Sequence, residues 1–218
     1  MSLLQRKRRP LTRDSASLRD DRLFIVACDD TYAPKQYFDF FRITRVQIHV
    51  VPTLDGSASA EHVLGRLLQF DHEEDDEIWM LLDTDHYAEG THLKSFLSAL
   101  AEAGRHGVNV ALSKPSFELW LLLHYVEEAA VSGLANAGEV EQKLRMALGQ
   151  YNKARLRKED YPLSSVLEAC QRAQRLDKSV SGGDIPSGNT SRVYLLWNSI
   201  AAGALPSQLP TELRSLIP

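Results

Sequence analysis

Short apolar runs alternate with segments of helical spacing through the first half of the chain. Four runs are rich in strand-forming residues, at 23–28, 46–51, 78–83 and 108–112. Segments with apolar residues at helical spacing fill the intervals between them, at 34–41, 59–70 and 91–103. Strands that alternate with helices of this length need crossover connections. The pattern therefore predicts an α/β fold with a mostly parallel sheet flanked by helices.

After residue 112 the pattern becomes helical. Four further helices are predicted, at 115–128, 139–148, 161–177 and 190–201. A Gly-rich loop at 181–188 precedes the last of them, and residues 1–21 have no apolar period. We therefore predict a flexible basic arm (1–21), an α/β core (22–128) and a helical extension packed on that core (129–218).

Composition indicates a globular protein of the reducing cytoplasm. Hydrophobic residues make up 44% of the chain and charged residues 25%, as in ordinary folded domains. The two cysteines, Cys28 and Cys170, lie far apart in sequence and form no metal-binding pair. No apolar run approaches the ~20 residues that a membrane helix needs, so no membrane partner is expected.

The charges are distributed unevenly along the chain. The net charge is −4, yet the first 22 residues hold seven Arg or Lys against three Asp. A second basic group comprises Lys153, Arg155, Arg157 and Lys158, and an acidic loop spans 71–77. Such basic patches could bind phosphates although the whole chain is acidic. A disordered tail and solvated loops are the alternative, and for the arm that alternative explains the pattern equally well.

Acidic residues follow two of the predicted strands at the point where each ends. Asp29 and Asp30 follow the first strand; Asp83 and Asp85 follow the third, with His86 next. The carboxyl ends of parallel strands border the binding crevice of such sheets. Clustered carboxylates repel one another unless a cation is present, and Mg²⁺ prefers carboxylate oxygens. The sequence thus predicts a metal site here, although a single Asp after a strand is often only a turn former.

A second candidate region begins at the end of the fourth strand. Ser113 and Lys114 precede Pro115, a typical helix-starting residue, so free backbone N–H groups and an ammonium are predicted to form an anion site. Glu118 and His124 are the only ionisable residues in the apolar stretch that follows. A buried Glu needs a partner, a metal or a proton, and we favour a functional role for Glu118 over a structural hydrogen bond. For His124 a structural role is the better interpretation.

These motifs resemble a known family. An apolar strand followed by an acid, then another followed by Asp-x-Asp, resembles the Toprim fold of topoisomerases, bacterial primases and some nucleases. The segment Ser113-Lys-Pro-Ser-Phe-Glu-Leu-Trp-Leu-Leu-Leu-His-Tyr125 is similar to Ser-Asn-Pro-x-Phe-Glu-Leu-Trp-Leu-Leu-Leu-His-Phe in the RloB-like family. The resemblance covers roughly residues 22–200, and it includes Tyr37-Phe38, Asp83-x-Asp85-His86, and Pro186-Ser187 through Thr190.

The resemblance implies roles for the acidic residues. Asp83 and Asp85 would bind Mg²⁺ (or Mn²⁺), and Asp29 would act as general acid/base or as a further metal ligand. It also implies a nuclease-like effector of bacterial antiphage defence that works with an ATPase partner. One departure affects the acid/base position: the family has Cys-Glu-Gly where this chain has Cys28-Asp-Asp. The shorter Asp29 could misplace a proton transfer by about 1 Å, which can lower the rate ~10²-fold.

Two functions follow from these expectations. The first is a Mg²⁺-dependent nuclease-like phosphodiesterase acting on RNA or DNA, in which Glu118 lies beside or contacts the metal. Ser113, Lys114 and His86 would then contact the substrate. The alternative is a catalytically weak module that binds nucleic acid or a nucleotide and has a degenerate Toprim site. Assembly of identical chains stays open, and a plain helical scaffold would leave the acids at the strand ends unexplained.

Overall fold

The computed structural model describes residues 22–53, 56–85, 92–181 and 183–217. The predicted basic arm and His86 lie outside these ranges. The chain forms a mixed α/β fold with a five-stranded sheet in the order β2-β1-β3-β4-β5. The strands are β1 (Arg22–Cys28), β2 (Val46–Val51), β3 (Glu77–Asp83), β4 (Asn109–Lys114) and β5 (Thr190–Ser191). The first four are parallel, as predicted, and β5 runs antiparallel to β4.

Seven helices surround this sheet within the described ranges. They are α1 (Ala33–Asp39), α2 (Ala60–Gln69), α3 (His92–Arg105), α4 (Glu118–Leu123), α5 (Ala137–Leu148), α6 (Leu163–Ser179) and α7 (Val193–Gly203). Short 3₁₀ segments lie at Glu128–Ala130, Lys158–Asp160 and Thr211–Leu216. None of the helices in this part of the chain is long and apolar enough to cross a membrane.

Two predicted helices have different bounds in the structure. The helix predicted at 190–201 begins only at Val193, because Thr190 and Ser191 pair with β4. The helix predicted at 115–128 is reduced to the six residues of α4. Its first turn is lost because the Pro115 carbonyl accepts the N–H groups of Thr84 and Asp85. That carbonyl is therefore used by the chain after β3 rather than by a helical turn of its own.

The sheet is covered on both faces, as the uninterrupted apolar run of β1 predicts. Phe24, Val26 and Cys28 point into the larger of two hydrophobic clusters, while Ile25 and Ala27 point into the other. Helices α2 and α3 cover the smaller cluster; α1 and α4 to α7 contribute to the larger one. The helices after residue 129 thus share one hydrophobic cluster with the sheet, and β5 extends that sheet.

An aromatic cluster around Tyr37 fixes α4 against α1. Seven rings lie with their centroids between 5.0 and 6.3 Å from the Tyr37 ring, namely Phe38, Phe41, Phe117, Trp120, His124, Tyr161 and Trp197. The residues from Leu119 to Leu123 are fully buried. Burying one such leucine contributes about 1.5–3 kcal/mol. This packing holds Glu118, the first residue of α4, at the carboxyl edge of the sheet.

Candidate functional site

Sheet register brings the acidic residues after β1 and β3 to one edge. Cys28 pairs with Leu81, and Asp83 pairs with Ser113, so the strand ends lie side by side. The Asp29 carboxylate joins them: Oδ2 accepts the backbone N–H of Asp83 at 2.8 Å, and Oδ1 accepts that of Asp30 at 2.9 Å. Asp29 therefore lies directly beside the start of the Asp83-Thr-Asp85 segment, as the sequence predicted for converging strand ends.

Asp30 has a structural role and an ionic one. Its Oδ1 accepts the backbone N–H of Tyr32 at 2.7 Å and that of Ala33 at 3.4 Å, which shapes the turn into α1. Its Oδ2 lies 3.0 Å from the ammonium of Lys153. The turn-forming interpretation of an acid after a strand therefore applies to Asp30, which also anchors a cation at the site.

Glu118 is buried and has protein partners. Ser116 Oγ donates to its Oε2 at 2.7 Å, and the Tyr151 hydroxyl donates to its Oε1 at 3.0 Å. The Lys153 ammonium lies 3.4 Å from the same Oε1. A buried Glu needs a partner, a metal or a proton, and here the structure provides partners, namely two hydrogen-bond donors and an ammonium.

Lys153 is positioned from α1 by one glutamine. The Gln36 side-chain amide donates to the Lys153 carbonyl at 3.0 Å, and its oxygen accepts the Leu156 N–H at 3.0 Å. Burial lowers the pKa of Lys153, but the Glu118 and Asp30 carboxylates outweigh that effect and raise it. Lys153 therefore stays charged and partly neutralises the acidic cluster.

The carboxylates at this edge carry more negative charge than Lys153 balances. Burial raises the pKa of Asp29 to about 7, and the charge of Asp30 adds to the rise while the Asp83 N–H opposes it. Burial also raises the pKa of Asp83 well above its usual range, with further contributions from the charges of Asp29, Glu118, Asp30 and Asp85. Raised pKa values in neighbouring carboxyls indicate a site that would gain from binding a cation.

The donor set fits a divalent cation in its chemistry. Mg²⁺ and Mn²⁺ prefer carboxylate oxygens, and the surplus negative charge favours either ion. However, no group of three or more His, Cys, Asp or Glu side chains among the described residues is placed to hold a metal ion. Asp85 is exposed, and its backbone N–H donates to the Pro115 carbonyl at 3.2 Å. The acids are gathered at one edge but are not assembled into a ready set of three ligands.

The two β4 residues that were predicted to contact substrate form hydrogen bonds within the chain instead. The Ser113 hydroxyl is buried and lies 2.9 Å from the Ser191 hydroxyl on β5. The Lys114 ammonium donates to the carbonyls of Pro186 and Ser187 at 3.1 and 3.3 Å, which fastens the loop before β5. With six residues, α4 is too short to support the predicted anion site at its start. A phosphate contact by Ser113 or Lys114 stays a prediction, and His86 lies outside the described residues.

Three contributors to this site were not predicted from sequence. Tyr151, Ser116 and Gln36 gave no signal, since each is a single polar residue without a characteristic spacing. Lys153 belonged to the basic group at 153–158, but its pairing with Asp30 and Glu118 depends on contacts between distant segments. A buried Glu that needs a cation was the signal that could have suggested the pairing.

Comparison with known proteins places the chain in a family. A family model described as RloB-like protein matches residues 24–200, from β1 into α7. The chain belongs to the RloB-like family. The matched range includes every acidic residue of the site and Lys153. Searches among curated proteins and among solved structures gave no match. The resemblance inferred from the sequence motifs is thereby confirmed at the level of the family.

In this RloB-like protein the segment 113–125 serves both the core and the site. Ser116 and Glu118 face the acidic cluster, whereas Phe117 and Trp120 join the aromatic cluster around Tyr37. Burial lowers the pKa of His124 to about 3, and the positive charge of Arg172 adds to that shift. A neutral, buried His124 agrees with the structural role inferred from the sequence.

Proposed function

We propose that this RloB-like protein is a metal-dependent phosphodiesterase that cleaves nucleic acid. The observation that carries the proposal is the convergence of Asp29, Asp83 and Glu118 at one sheet edge, with burial and mutual repulsion raising the pKa values of Asp29 and Asp83. Clustered acids with perturbed pKa values are typical of catalytic sites. An Asp-x-Asp after a buried strand, in a protein that resembles the Toprim fold, supports this reaction class.

The acidic residues would have two roles, metal binding and proton transfer. Asp83 and Asp85 would hold Mg²⁺ or Mn²⁺, joined by Asp29; when bound, the metal would stabilise charge on a phosphodiester. Because the pKa of Asp29 is raised to about 7, its carboxyl can hold or release a proton near neutral pH. Glu118, fixed by Ser116 and Tyr151, would orient the Lys153 ammonium toward the substrate's negative charge.

Cleavage of a mixed pool of RNA and DNA with Mg²⁺ or Mn²⁺ tests this proposal. The variant Asp83→Asn/Asp85→Asn should lose at least 100-fold in rate, on the order of what removing a charge-stabilising group costs. The matched control is Glu74→Gln/Asp75→Asn, which removes two exposed acids from the loop before β3 and should cleave at the wild-type rate. Equal rates for the wild type and the Asp83/Asp85 variant would refute the assignment.

The proposal includes a setting in the cell. The family resemblance favours an effector of bacterial antiphage defence that is controlled by an ATPase partner. Purified protein should then cleave slowly alone and faster when an ATPase partner and ATP are added. A cleavage rate that is independent of the ATPase and of ATP would contradict the proposed partner. It would leave the proposed phosphodiester cleavage unaffected.

A second candidate is a binding module with little catalysis. It is favoured by the Asp29 carboxylate, whose two oxygens already accept backbone N–H groups, and by the Lys153 ammonium within the cluster. The variant Asp29→Glu discriminates between the two functions. A gain of tenfold or more in cleavage would indicate an enzyme limited by its short acid. Unchanged background cleavage together with nucleic-acid binding would favour the module.

A further inference from the structure

The Lys153 ammonium lies between two buried carboxylates that come from different parts of the chain. Its Nζ is 3.0 Å from Asp30 Oδ2, just after β1, and 3.4 Å from Glu118 Oε1, at the start of α4. The side chains of Asp30 and Glu118 are only 3% and 5% exposed, whereas that of Lys153 is 43% exposed. The two acids therefore belong to the packed fold, and the lysine is the member of this group that solvent reaches.

Each of these carboxylates has one oxygen oriented by the fold and the other directed at the ammonium. Asp30 Oδ1 accepts two backbone N–H groups in the turn into α1, while its Oδ2 accepts no hydrogen bond from the described residues and contacts Lys153. Glu118 Oε2 accepts Ser116 Oγ, while its Oε1 accepts the Tyr151 hydroxyl and lies toward the ammonium. Carboxylates that bind metals are typically oriented by hydrogen bonds in this way.

The lysine side chain can leave this position without a change in the backbone. The Gln36 amide donates to the Lys153 carbonyl at 3.0 Å, and Asn152 Oδ1 accepts the Ala154 N–H at 2.9 Å, so the backbone on both sides of the lysine is held. Asp30 Oδ2 is buried and in contact with the ammonium. Rotation of the exposed lysine into solvent would therefore uncover this oxygen on the side where a cation already lies.

One ammonium does not balance the charge at this position. It faces two carboxylates, and the Asp29 carboxylate lies nearby at the end of β1, where it accepts the Asp83 N–H. Mg²⁺ is commonly bound through one or two carboxylates and keeps several waters. Two acids therefore suffice, although no three His, Cys, Asp or Glu side chains in the described part of the chain are placed to hold a metal.

We propose that a divalent cation replaces the Lys153 ammonium at Asp30 and Glu118, so that this lysine competes with the metal of the acidic cluster. Asp30, which forms the turn into α1, would be a further metal ligand. The displaced ammonium would turn toward solvent and become available for the substrate's negative charge. The inference rests on the proposed function, because it concerns the metal of that same site.

Binding of Mn²⁺ to the full chain, followed by electron paramagnetic resonance of the free ion, tests the ligand. Asp30→Asn should weaken binding about tenfold or more. The asparagine oxygen can still accept the two N–H groups of the turn, and an unchanged melting temperature verifies the fold. The matched control is Asp39→Asn, which removes an exposed acid that lies 2.7 Å from Lys35 on α1 and should bind within about twofold of the wild type. Equal affinities of the wild type and Asp30→Asn would overturn the inference.

Acetylation of lysines, mapped by mass spectrometry with and without Mg²⁺, tests the displacement. The rate at Lys153 should rise at least about threefold in saturating Mg²⁺, because its amine leaves the two carboxylates that favour its charged form. Lys35 is the control within the same sample, since it is 47% exposed and paired with Asp39; its rate should stay within about twofold. An unchanged or slower rate at Lys153 would overturn the inference.

Lys153→Met tests the competition and should tighten Mn²⁺ binding about tenfold, whereas Lys35→Met should change it less than about twofold. Unchanged or weaker binding by Lys153→Met would overturn the competition. Failure of the inference is distinguishable from failure of the proposed function. Mn²⁺ binding that needs Asp83 but not Asp30 removes only the inference. Binding that needs Asp30 and displaces Lys153, without cleavage of nucleic acid, removes only the enzyme.

Discussion

Replacing His124 with glutamine should remove a loss of stability that the wild type suffers on acidification. Ser165 Oγ donates to the Pro162 carbonyl, so it must accept from His124 Nδ1, which lies 2.7 Å away. The other ring nitrogen, Nε2, is then left to accept the Tyr37 hydroxyl at 3.1 Å. The neutral ring satisfies both contacts, whereas a second ring proton on Nε2 would leave the Tyr37 hydroxyl hydrogen without this acceptor.

The magnitude follows from the displaced pKa. Burial lowers the pKa of His124 from 6.5 to about 3, so the folded chain binds fewer protons than the unfolded chain between these values. Stability is therefore present above pH 6.5 and is lost as the pH falls. Between pH 7 and pH 5 the loss is about 2 kcal/mol, and by pH 4 it is about 3 kcal/mol. Glutamine does not titrate, yet it can donate to Ser165 and accept from Tyr37.

Asp29 has the opposite effect over the same interval. Its pKa is raised to about 7, so the folded chain binds more protons than the unfolded chain, and stability is lost as the pH rises. This change amounts to up to about 2 kcal/mol between pH 5 and pH 7, less where solvent reaches the carboxyl. In the wild-type profile this effect, to which the raised pKa of Asp83 adds, opposes and masks that of His124. The informative quantity is the difference between wild type and His124→Gln, in which the contribution of Asp29 cancels.

Urea unfolding at pH 7 and pH 5, in EDTA, measures this difference. The free energy of unfolding of the wild type, minus that of His124→Gln, should fall by about 2 kcal/mol from pH 7 to pH 5. His106→Gln is the control, because His106 is exposed directly after α3 and lies 3.1 Å from Glu102. It should keep the wild-type pH dependence. A constant difference between wild type and His124→Gln at both pH values would refute the argument for a neutral, buried His124.

Three further outcomes follow from the charges of the site. Lys153→Met should lower the free energy of unfolding by about 1–3 kcal/mol, less than for a fully buried pair because 43% of the Lys153 side chain is exposed; urea unfolding measures it. Asp83→Asn should raise the stability of the metal-free protein at pH 8 by about 1–2 kcal/mol, because burial and neighbouring acids disfavour its charge. A lower stability would contradict the raised pKa of Asp83. Mg²⁺ at 100 times its dissociation constant should stabilise the wild type by about 2.7 kcal/mol, and the Asp83→Asn/Asp85→Asn variant should lose this shift in thermal unfolding.

Strands β1 and β3 were predictable because each is a continuous apolar run buried on both faces. Strand β2 was predictable although Gln47 and His49 are exposed, because β-branched apolar residues alternate with them. Strand β5 was not, since Thr190 and Ser191 carry no apolar signal and are strand residues only through pairing with β4. The length of α4 was mispredicted for a related reason. Apolar residues continue past both of its ends, but the Pro115 carbonyl is used by the chain after β3. Hydrophobic periodicity indicates which residues are buried. It does not indicate which backbone carbonyls accept hydrogen bonds from distant segments.

The acidic half of the site was predictable and its basic half was not. Asp29 follows β1 and Asp83 ends β3, so topology alone brings them to one edge. Lys153 and Tyr151 reach Glu118 from a segment more than 30 positions away, between α5 and the 3₁₀ segment before α6. No spacing in the sequence encodes that approach, which depends on Gln36 holding the segment against α1.

The late position of Lys153 in the chain has a consequence for synthesis. A growing chain emerges from its amino end, so the strands that carry Asp29 and Asp83 and the helix that carries Glu118 are made first. Until residue 153 has followed, those carboxylates lack the ammonium that partly neutralises them. Strand β4 lacks its neighbour β5 until residue 191 has followed. A chain interrupted between residues 118 and 153 therefore contains every predicted catalytic acid but lacks Lys153.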